Sequence, residues 1–294
     1  MQRVTGDQPH AITEGEGMGR RRSELLLRVH SALILVTISL LLTYAGLRAF
    51  AVLITLFIAA MAWEWGRLVR GGGLDVTFGL QLGATAAASW ATVQGCVACA
   101  FSAVFLGTIA VFLFRKGKDE RPQAWWSAAG VYYAGLPAIA LIWIRSDAEY
   151  GWLAILYIFA IVWTTDSAAY VFGRWIGGAK LAPRISPKKT WAGLIGGAAS
   201  AGAAGFLFAT LTGSDAAIKL MLLGTGLAMV SQIGDLGESA VKRSFGIKDT
   251  SSLIPGHGGV LDRIDGLVFA AVTAALIAWA TDAAHPGRAL LVWS

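Results

Sequence analysis

Long apolar segments alternate with short polar connections along most of the chain. A helix needs roughly 17 to 25 mostly apolar residues to cross the hydrocarbon core of a bilayer. Nine segments approach that length. They lie near 31–47, 49–63, 76–94, 96–114, 125–144, 152–172, 192–211, 217–233 and 267–280. The pattern predicts an all-α, polytopic integral membrane protein with about nine transmembrane helices.

Two features refine this organisation. The first two segments are short and nearly fused across Arg48, so they predict either one hairpin or two tilted helices. Residues 1–30 form a polar, basic tail without the apolar core of a cleavable signal peptide, so we expect the first membrane helix to direct insertion. We therefore divide the chain into this tail, N-terminal helices over 31–150, and a C-terminal catalytic region over 151–294.

Composition excludes several classes of protein. Of the 294 residues, 56% are hydrophobic and only 14% are charged, with a mean hydropathy of +0.62. A soluble domain usually has about 25% charged residues, so a soluble globular enzyme is nearly ruled out, as is intrinsic disorder. The net charge of +6 would raise the question of nucleic acid in a soluble protein. In a membrane protein it reflects loop topology, and we expect no nucleic-acid partner.

The positions of the cations predict the orientation. With a cytoplasmic N-terminus and nine alternating crossings, all but four of the 24 lysines and arginines fall on the cytoplasmic side. The four exceptions are Arg48, Arg145, Lys219 and Arg288. Because cytoplasmic loops retain positive charge, this distribution supports the topology.

Cys96 and Cys99 form a CxxC sequence inside an apolar run. A redox or metal pair is one interpretation, but no second ligand pair lies nearby and the flanking residues are apolar. We therefore interpret both cysteines as packing residues.

Carboxylates at the edges of apolar segments mark the candidate chemistry. They are costly unless they are paired, bound to a metal or exposed to water. Asp166 lies in the sixth segment, Asp235 and Glu238 at the cytoplasmic end of the eighth, and Asp262 and Asp265 close the last cytoplasmic loop. The topology brings all of them to the cytoplasmic face, where soluble substrates and divalent metal arrive.

Two basic loops that contain glycine, 173–191 and 242–259, adjoin these carboxylates. Carboxylates that hold Mg²⁺, cations that take up charge on a leaving group, and glycine backbone that approaches phosphate are the components of phosphoryl or nucleotidyl transfer. On a helix, Asp235, Ser239 and Lys242 share a face. Glu238 and Lys242 are also an ordinary i,i+4 pair, which needs no role in catalysis.

Two blocks of sequence resemble a known family. The stretch 239–243, 248–249 and 254–265 resembles the signature of bacterial phosphatidate cytidylyltransferases, also called CDP-diacylglycerol synthases. A second block, from 166–170 through 173–174 to 186–191, is similar to the same family. Together they cover about a third of the chain.

The resemblance implies that CTP and phosphatidic acid give CDP-diacylglycerol and pyrophosphate. It also implies an Mg²⁺ requirement, K⁺ as a possible second cation, a multi-pass protein of the bacterial inner membrane with a cytoplasmic active site, and a homodimer. Asp235 and Asp262 match the family's metal-holding aspartates. We expect catalysis by Asp235, Asp262, Ser239 and Lys242, and metal contact by Asp235, Asp262, Asp166 and Asp265. The expected substrate-binding residues are Ser186, Lys188, Lys189, Thr190, Arg243, Lys248, His257, Gly258, Gly259 and Arg263.

Several alternatives stay open. Asp166 is a third metal or substrate group, or it pairs with Arg174. His257 contacts phosphate or orders its loop, because a phosphate nucleophile with a second pKa of about 6 needs no strong base. A related polyprenol or phytol kinase would transfer the γ-phosphoryl group of CTP instead. An ion-coupled transporter would explain intramembrane carboxylates but not two basic loops on one face.

Overall fold

The computed structural model describes residues 14–118, 121–254 and 258–292, which form ten α-helices and one antiparallel two-stranded hairpin. The elements are α1 Glu14–Tyr44, α2 Leu47–Arg70, α3 Val76–Val93, α4 Val97–Lys116, α5 Arg121–Arg145, α6 Gly151–Trp175, β1 Lys180–Ala182, β2 Ser186–Thr190, α7 Trp191–Thr212, α8 Ala217–Ser244, α9 Leu261–Asp282 and α10 Pro286–Leu291. The all-α class is confirmed, with the small hairpin as an addition within the first basic loop.

In the described ranges, each predicted apolar segment corresponds to one of the helices α1 to α9. Seven of these, α2 and α4 to α9, are long and apolar enough to cross a membrane, and Val29–Tyr44 in α1 is a shorter apolar helix. The chain is thus a polytopic membrane protein, while nine crossings and a cytoplasmic N-terminus stay predictions. Helix α1 begins at Glu14, inside the predicted tail, and residues 1–13 lie outside the described residues.

The first two helices form a hairpin. Only Ala45 and Gly46 separate α1 from α2. Gly46 has a φ of 124°, a backbone conformation that residues with a side chain rarely adopt. This tight turn favours the hairpin over two separately tilted helices, and it places Arg48 inside α2.

The largest hydrophobic core lies between α2, α5, α6, α8 and α9. Phe50, Ile58, Ile142, Ile155 and Leu227 are almost fully buried in it. A smaller core joins α3, α4 and part of α5. Helices α6, α8 and α9 carry the candidate carboxylates. They contribute to the larger core and pack against one another.

Small residues bring α6, α7 and α8 close together. Gly197 of α7 faces the carbonyl of Thr165 on α6, and Gly205 faces the carbonyl of Leu220 on α8. A side chain at Gly205 would overlap the α8 backbone. Close backbone approach through small residues is how membrane helices gain packing contact, so these three helices form a tightly packed unit.

The interpretation of the cysteines as packing residues is wrong. Cys96 and Cys99 form a disulfide at the start of α4. Cys96 is the N-cap of this helix, and the first helical turn brings the side chain of Cys99 back to it. The predicted topology places this end on the outer side of the membrane, where disulfides persist.

Asp147 connects α10 to the turn between α5 and α6. Its side chain is largely buried and accepts hydrogen bonds from the backbone amides of Glu149 and Tyr150. Its other oxygen accepts from the amides of Gly287 and Arg288, each at 3.1 Å. A carboxylate here satisfies amides that a short helix leaves unpaired at its N-terminus.

Candidate active site

One cavity of about 1000 Å³ extends into the helix bundle and has two chemically different ends. We call the end lined by charged residues of α6, β2, α8 and α9 the polar end. The apolar end lies between α1, α2, α5 and α6. Its lining includes Leu35, Leu53, Phe57, Met61, Ala138 and Phe159.

The polar end brings together the four aspartates that we expect to contact metal, and Asp249 lines the cavity as well. Asp166 stands on α6, Asp235 on α8, and Asp262 and Asp265 in the first turns of α9. All four line the cavity, although 99 residues of sequence separate the first from the last. The four aspartates that the sequence predicted to contact metal therefore face a common space.

Two of these carboxylates pair with lysines. Lys189 Nζ lies 2.6 Å from Asp235 Oδ2 and 3.4 Å from the carbonyl oxygen of Gln232. Lys242 Nζ lies 2.6 Å from Asp262 Oδ1 and 3.2 Å from Glu238 Oε2. The i,i+4 pair of Glu238 and Lys242 is thus present, but Lys242 also reaches across to α9. The Lys242–Asp262 pair is largely shielded from water, where attraction between charges is stronger than on an open surface, whereas the Lys189–Asp235 pair is partly exposed.

Backbone and side-chain donors fix the second oxygen of Asp262. Its Oδ2 accepts from the Thr250 amide at 3.1 Å, the Thr250 hydroxyl at 3.0 Å and the Gly259 amide at 3.0 Å. Gly258 has a φ of 90° and forms a β-bridge with Ile254, which turns the segment back towards α9. The loop therefore folds around Asp262 and fixes its direction.

The hairpin supplies the basic side of the polar end. Lys188 is exposed and lines the cavity together with Lys189 and Thr190. The Thr190 hydroxyl accepts the amide of Gly193 at 3.1 Å and thereby caps α7. Arg243 of α8 donates to the carbonyl oxygen of Ile185, so it supports the hairpin.

Some of the other predicted site residues line the cavity and some do not. Arg263 lines the cavity. Ser239 donates to Asp235 at 3.4 Å, as their spacing on a helix predicts. Among the described residues, these predicted members do not line the cavity: Ser186, Ser239, Arg243, Lys248, Gly258 and Gly259. His257 lies outside the described residues. The roles assigned to all of them stay predictions.

The alternative partner of Asp166 is not Arg174. The Arg174 guanidinium donates to the hydroxyl of Tyr170 at 3.4 Å, one turn away on the same helix. Asp166 instead faces the cavity opposite Lys189 and Asp235. This position favours contact of Asp166 with a substrate or metal over a purely structural pair.

Sequence reasoning missed Glu64, a fully buried carboxylate on α2. It accepts hydrogen bonds from Thr250 and Ser251 and from the first amides of α9. The predicted second segment ends at Trp63, one residue before Glu64, so the apolar pattern leaves this carboxylate outside the predicted span. The available signal was an acidic residue between two tryptophans in a helix whose apolar pattern continues to Val69.

The carboxylates fit a divalent cation that arrives with phosphate. No group of three or more His, Cys, Asp or Glu side chains in the described parts of the chain is arranged to hold a metal by itself. Mg²⁺ in nucleotide sites commonly uses one or two carboxylates together with substrate phosphates and water. Asp235 and Asp262 supply such oxygens, because both face the cavity and both already bind a cationic ammonium.

Comparisons with known proteins all indicate the same family. The model of the cytidylyltransferase family matches residues 26–280. A phosphatidate cytidylyltransferase of Brucella suis biovar 1 (strain 1330) is 43% identical over 257 residues, which cover 85% of this chain and 91% of that protein. Its counterpart in Brucella abortus biovar 1 (strain 9-941) is 42% identical over the same coverage. A phosphatidate cytidylyltransferase of Haemophilus influenzae (strain ATCC 51907 / DSM 11121 / KW20 / Rd) is 44% identical over 144 residues, 47% of this chain and 50% of that protein.

Proposed function

Because this chain belongs to the cytidylyltransferase family and is a nucleotidyltransferase that makes CDP-diacylglycerol, we propose that its reaction takes place at the polar end of the cavity. The substrates are CTP and phosphatidic acid. One observation carries the proposal: aspartates from separate helices face one space with several cations, and that space continues into an apolar end. A lipid substrate with a charged head group and acyl chains requires this combination.

The nucleophile is the phosphate of phosphatidic acid. Since its second pKa is about 6, it carries two negative charges near neutral pH and needs no general base. A phosphate oxygen attacks the α-phosphorus of CTP and forms a new P–O bond. The bond between the α-phosphorus and its bridging oxygen to the β-phosphate breaks, and its electron pair leaves with pyrophosphate. The products are CDP-diacylglycerol and pyrophosphate.

The basic residues hold the two anionic substrates. Lys188, Lys189 and Arg263 face the cavity and supply positive charge for phosphate groups. Lys242 anchors Asp262 and offsets its charge. Asp235 and Asp262 would hold Mg²⁺, with Asp166 and Asp265 beside them, and K⁺ is the second cation that we expect. When it is bound, the metal ion neutralises charge on phosphate oxygens.

The apolar end takes the diacylglycerol part of the substrate. Leu35, Leu53 and Met61 line it with carbon atoms, so acyl chains that enter from the bilayer exchange one apolar environment for another. The acyl chains thus stay in an apolar environment while the phosphate reaches the polar end. We also propose that the protein lies in the bacterial inner membrane with its active site towards the cytoplasm, as the distribution of cations supports.

The decisive experiment uses purified protein in detergent with phosphatidic acid, Mg²⁺ and CTP labelled at the α-phosphate. We expect the label to enter the lipid phase and pyrophosphate to appear in equal amount. CTP labelled at the γ-phosphate should leave the lipid unlabelled, whereas a CTP-dependent lipid kinase would give the reverse pattern. Labelled lipid from γ-labelled CTP would overturn the proposal.

A homodimer is the proposed assembly, which the family resemblance supports. Light scattering after size exclusion in detergent should give a protein mass near twice the 30.9 kDa of one chain. A mass of one chain at all concentrations would contradict it.

A further inference from the structure

We infer that Glu64 is a positioning residue for Asp262, through which the N-terminal helices set the geometry of the polar end. Glu64 is fully buried on α2, and its carboxylate lies against the start of α9 and the loop before it. This inference rests on the proposed role of Asp262 in the reaction. Glu64 itself does not line the cavity, so its effect passes through the loop.

Both oxygens of Glu64 are fully used. Oε1 accepts the Ser251 hydroxyl at 2.5 Å and the Val260 amide at 2.9 Å. Oε2 accepts the Leu261 amide at 2.7 Å and the Thr250 hydroxyl at 3.3 Å. The donors are two hydroxyls and two backbone amides, and the amides are among those that a helix leaves unpaired at its N-terminus. A negative charge at this end of α9 is also favoured by the helix dipole.

Thr250 connects this carboxylate to Asp262. Its hydroxyl lies 3.0 Å from Asp262 Oδ2 and 3.3 Å from Glu64 Oε2, and its single proton is shared between them. Its backbone amide donates to Asp262 as well. Asp262 also follows directly after the two amides that Glu64 holds. Glu64 therefore fixes Asp262 from both sides, through Thr250 and through the first residues of α9.

Gly259 shows how closely the carboxylate approaches the loop. A Cβ atom at this position would overlap the Thr250 hydroxyl and crowd both oxygens of Glu64. The glycine was predicted to bind substrate. That role stays a prediction; in the structure its missing side chain makes room for Glu64, and its amide donates to Asp262.

The test replaces Glu64→Gln, which keeps the shape of the side chain. A glutamine has one oxygen and one NH₂ group, so in either orientation an N–H donor faces one of the two α9 amides. The matched control is Asp147→Asn. Asp147 is also a buried carboxylate that accepts four backbone amides, two in the turn before α6 and two at the start of α10, but it does not line the cavity.

Two readouts separate positioning from stability. Hydrogen–deuterium exchange needs no turnover, and we expect E64Q to accelerate exchange at least about tenfold in peptides covering 250–261. In steady-state kinetics, E64Q should lower kcat by about tenfold to a hundredfold, because a displacement of about 1 Å at a reacting group has that effect. The KM for CTP should change less than about threefold. D147N should accelerate exchange only near the two segments that Asp147 holds, 149–150 and 287–288, and keep kcat within about twofold of the wild type.

Each other outcome counts against the inference. A folded E64Q with normal kcat overturns it, and so does a D147N variant that loses kcat equally, since the effect would then be general destabilisation. If E64Q does not fold, Thr250→Val and Thr250→Ser decide: the hydroxyl-retaining serine should recover most of the kcat that valine loses. Equal rates in these two variants would overturn the inference. Hydrogen–deuterium exchange also separates a failure of this inference from a failure of the proposed reaction. Even if the wild type were inactive, the effect of Glu64 on the loop before α9 could still be measured.

Discussion

The two ends of the cavity are built on different principles. At the polar end the two aspartates that we assign to the metal have specific partners: Lys189 for Asp235, and Lys242, Thr250 and Gly259 for Asp262. At the apolar end, Leu35, Leu53 and their neighbours contribute only carbon surface. Phosphate chemistry depends on the direction of each charge, whereas an acyl chain requires only space without water.

This difference indicates where the enzyme tolerates amino-acid substitutions. Substitutions at the polar end alter groups that must keep one direction, so their effects should be large. Apolar linings accept other hydrophobic side chains of suitable volume, so effects at that end should be graded. Four predictions, from the largest expected effect to the smallest, test this contrast.

The largest effect is expected for Asp262→Asn and Asp235→Asn. Each removes a negative charge that we assign to Mg²⁺, and kcat should fall by about a thousandfold, since several kcal/mol of charge stabilisation are lost. Steady-state assays with labelled CTP measure this. Asp215→Asn, an exposed change in the connection between α7 and α8, is the matched control and should have normal activity. Near-normal turnover in D235N or D262N would remove that residue from the metal site.

Lys242→Met should have the second-largest effect. The ammonium holds Asp262 and offsets the charge of Glu238, whose side chain is 1% exposed. We expect kcat to fall by about a hundredfold. Stability should fall by about 3 kcal/mol, because removal of one partner leaves a buried charge uncompensated. Thermal unfolding in detergent measures the second effect.

The double variant E238Q/K242M separates these two contributions. Neutral glutamine removes the uncompensated charge of Glu238, and Asp262 keeps its donors from Thr250 and Gly259, so most of the melting temperature should return while the rate stays low. A double variant that regained its rate would mean that Lys242 serves only to neutralise Glu238.

At the apolar end, Leu35→Trp should raise the KM for long-chain phosphatidic acid by about fivefold, because the larger ring takes volume at an overpacking cost of about 1 kcal/mol. The rate with a short-chain substrate should change less than about twofold. Leu33→Trp, on the same helix but 60% exposed, is the control and should behave as the wild type. An equal effect with both chain lengths would argue against acyl binding at this end.

The smallest effect is expected for Lys188→Ala at the exposed rim of the polar end. The KM for CTP or phosphatidic acid should rise by about threefold, since an exposed charge contributes less than about 1 kcal/mol. The difference should decrease when salt is raised from about 50 to about 500 mM. Lys248, which does not line the cavity, offers the comparison, and Lys248→Ala should be nearly neutral. If K248A had the larger effect, the basic contact would lie in its loop instead.

Sequence alone predicted most of the fold, because apolar length determines membrane helices almost independently of their neighbours. It also predicted the local geometry of α8, where Ser239 reaches Asp235 over one turn. The hairpin of β1 and β2 was missed, since a basic stretch with glycine and proline has no alternating apolar pattern. The disulfide of Cys96 and Cys99 was missed because the flanking residues suggested only packing.

Contacts between segments that are distant in the chain could not be predicted from the sequence. Nothing in the local pattern pairs Lys189 with Asp235 or Glu64 with Leu261, because such pairs depend on how the helices pack. The apolar end was equally hidden, since cavity-lining and lipid-facing leucines look the same in a hydrophobic segment. Motifs indicated the groups to which we assign phosphate chemistry, and only the packed structure identified their supports.

The hairpin that carries Lys188 and Lys189 has a fixed base. Its last residue caps α7, and glycines lock α7 against its two neighbours. The rim is therefore preorganised. An inhibitor whose anionic groups bind Lys188 and Lys189 would lose little affinity to the entropic cost of ordering the protein. Rigid compounds that carry two negative charges and one aliphatic chain are therefore suitable starting points for inhibitors of this enzyme.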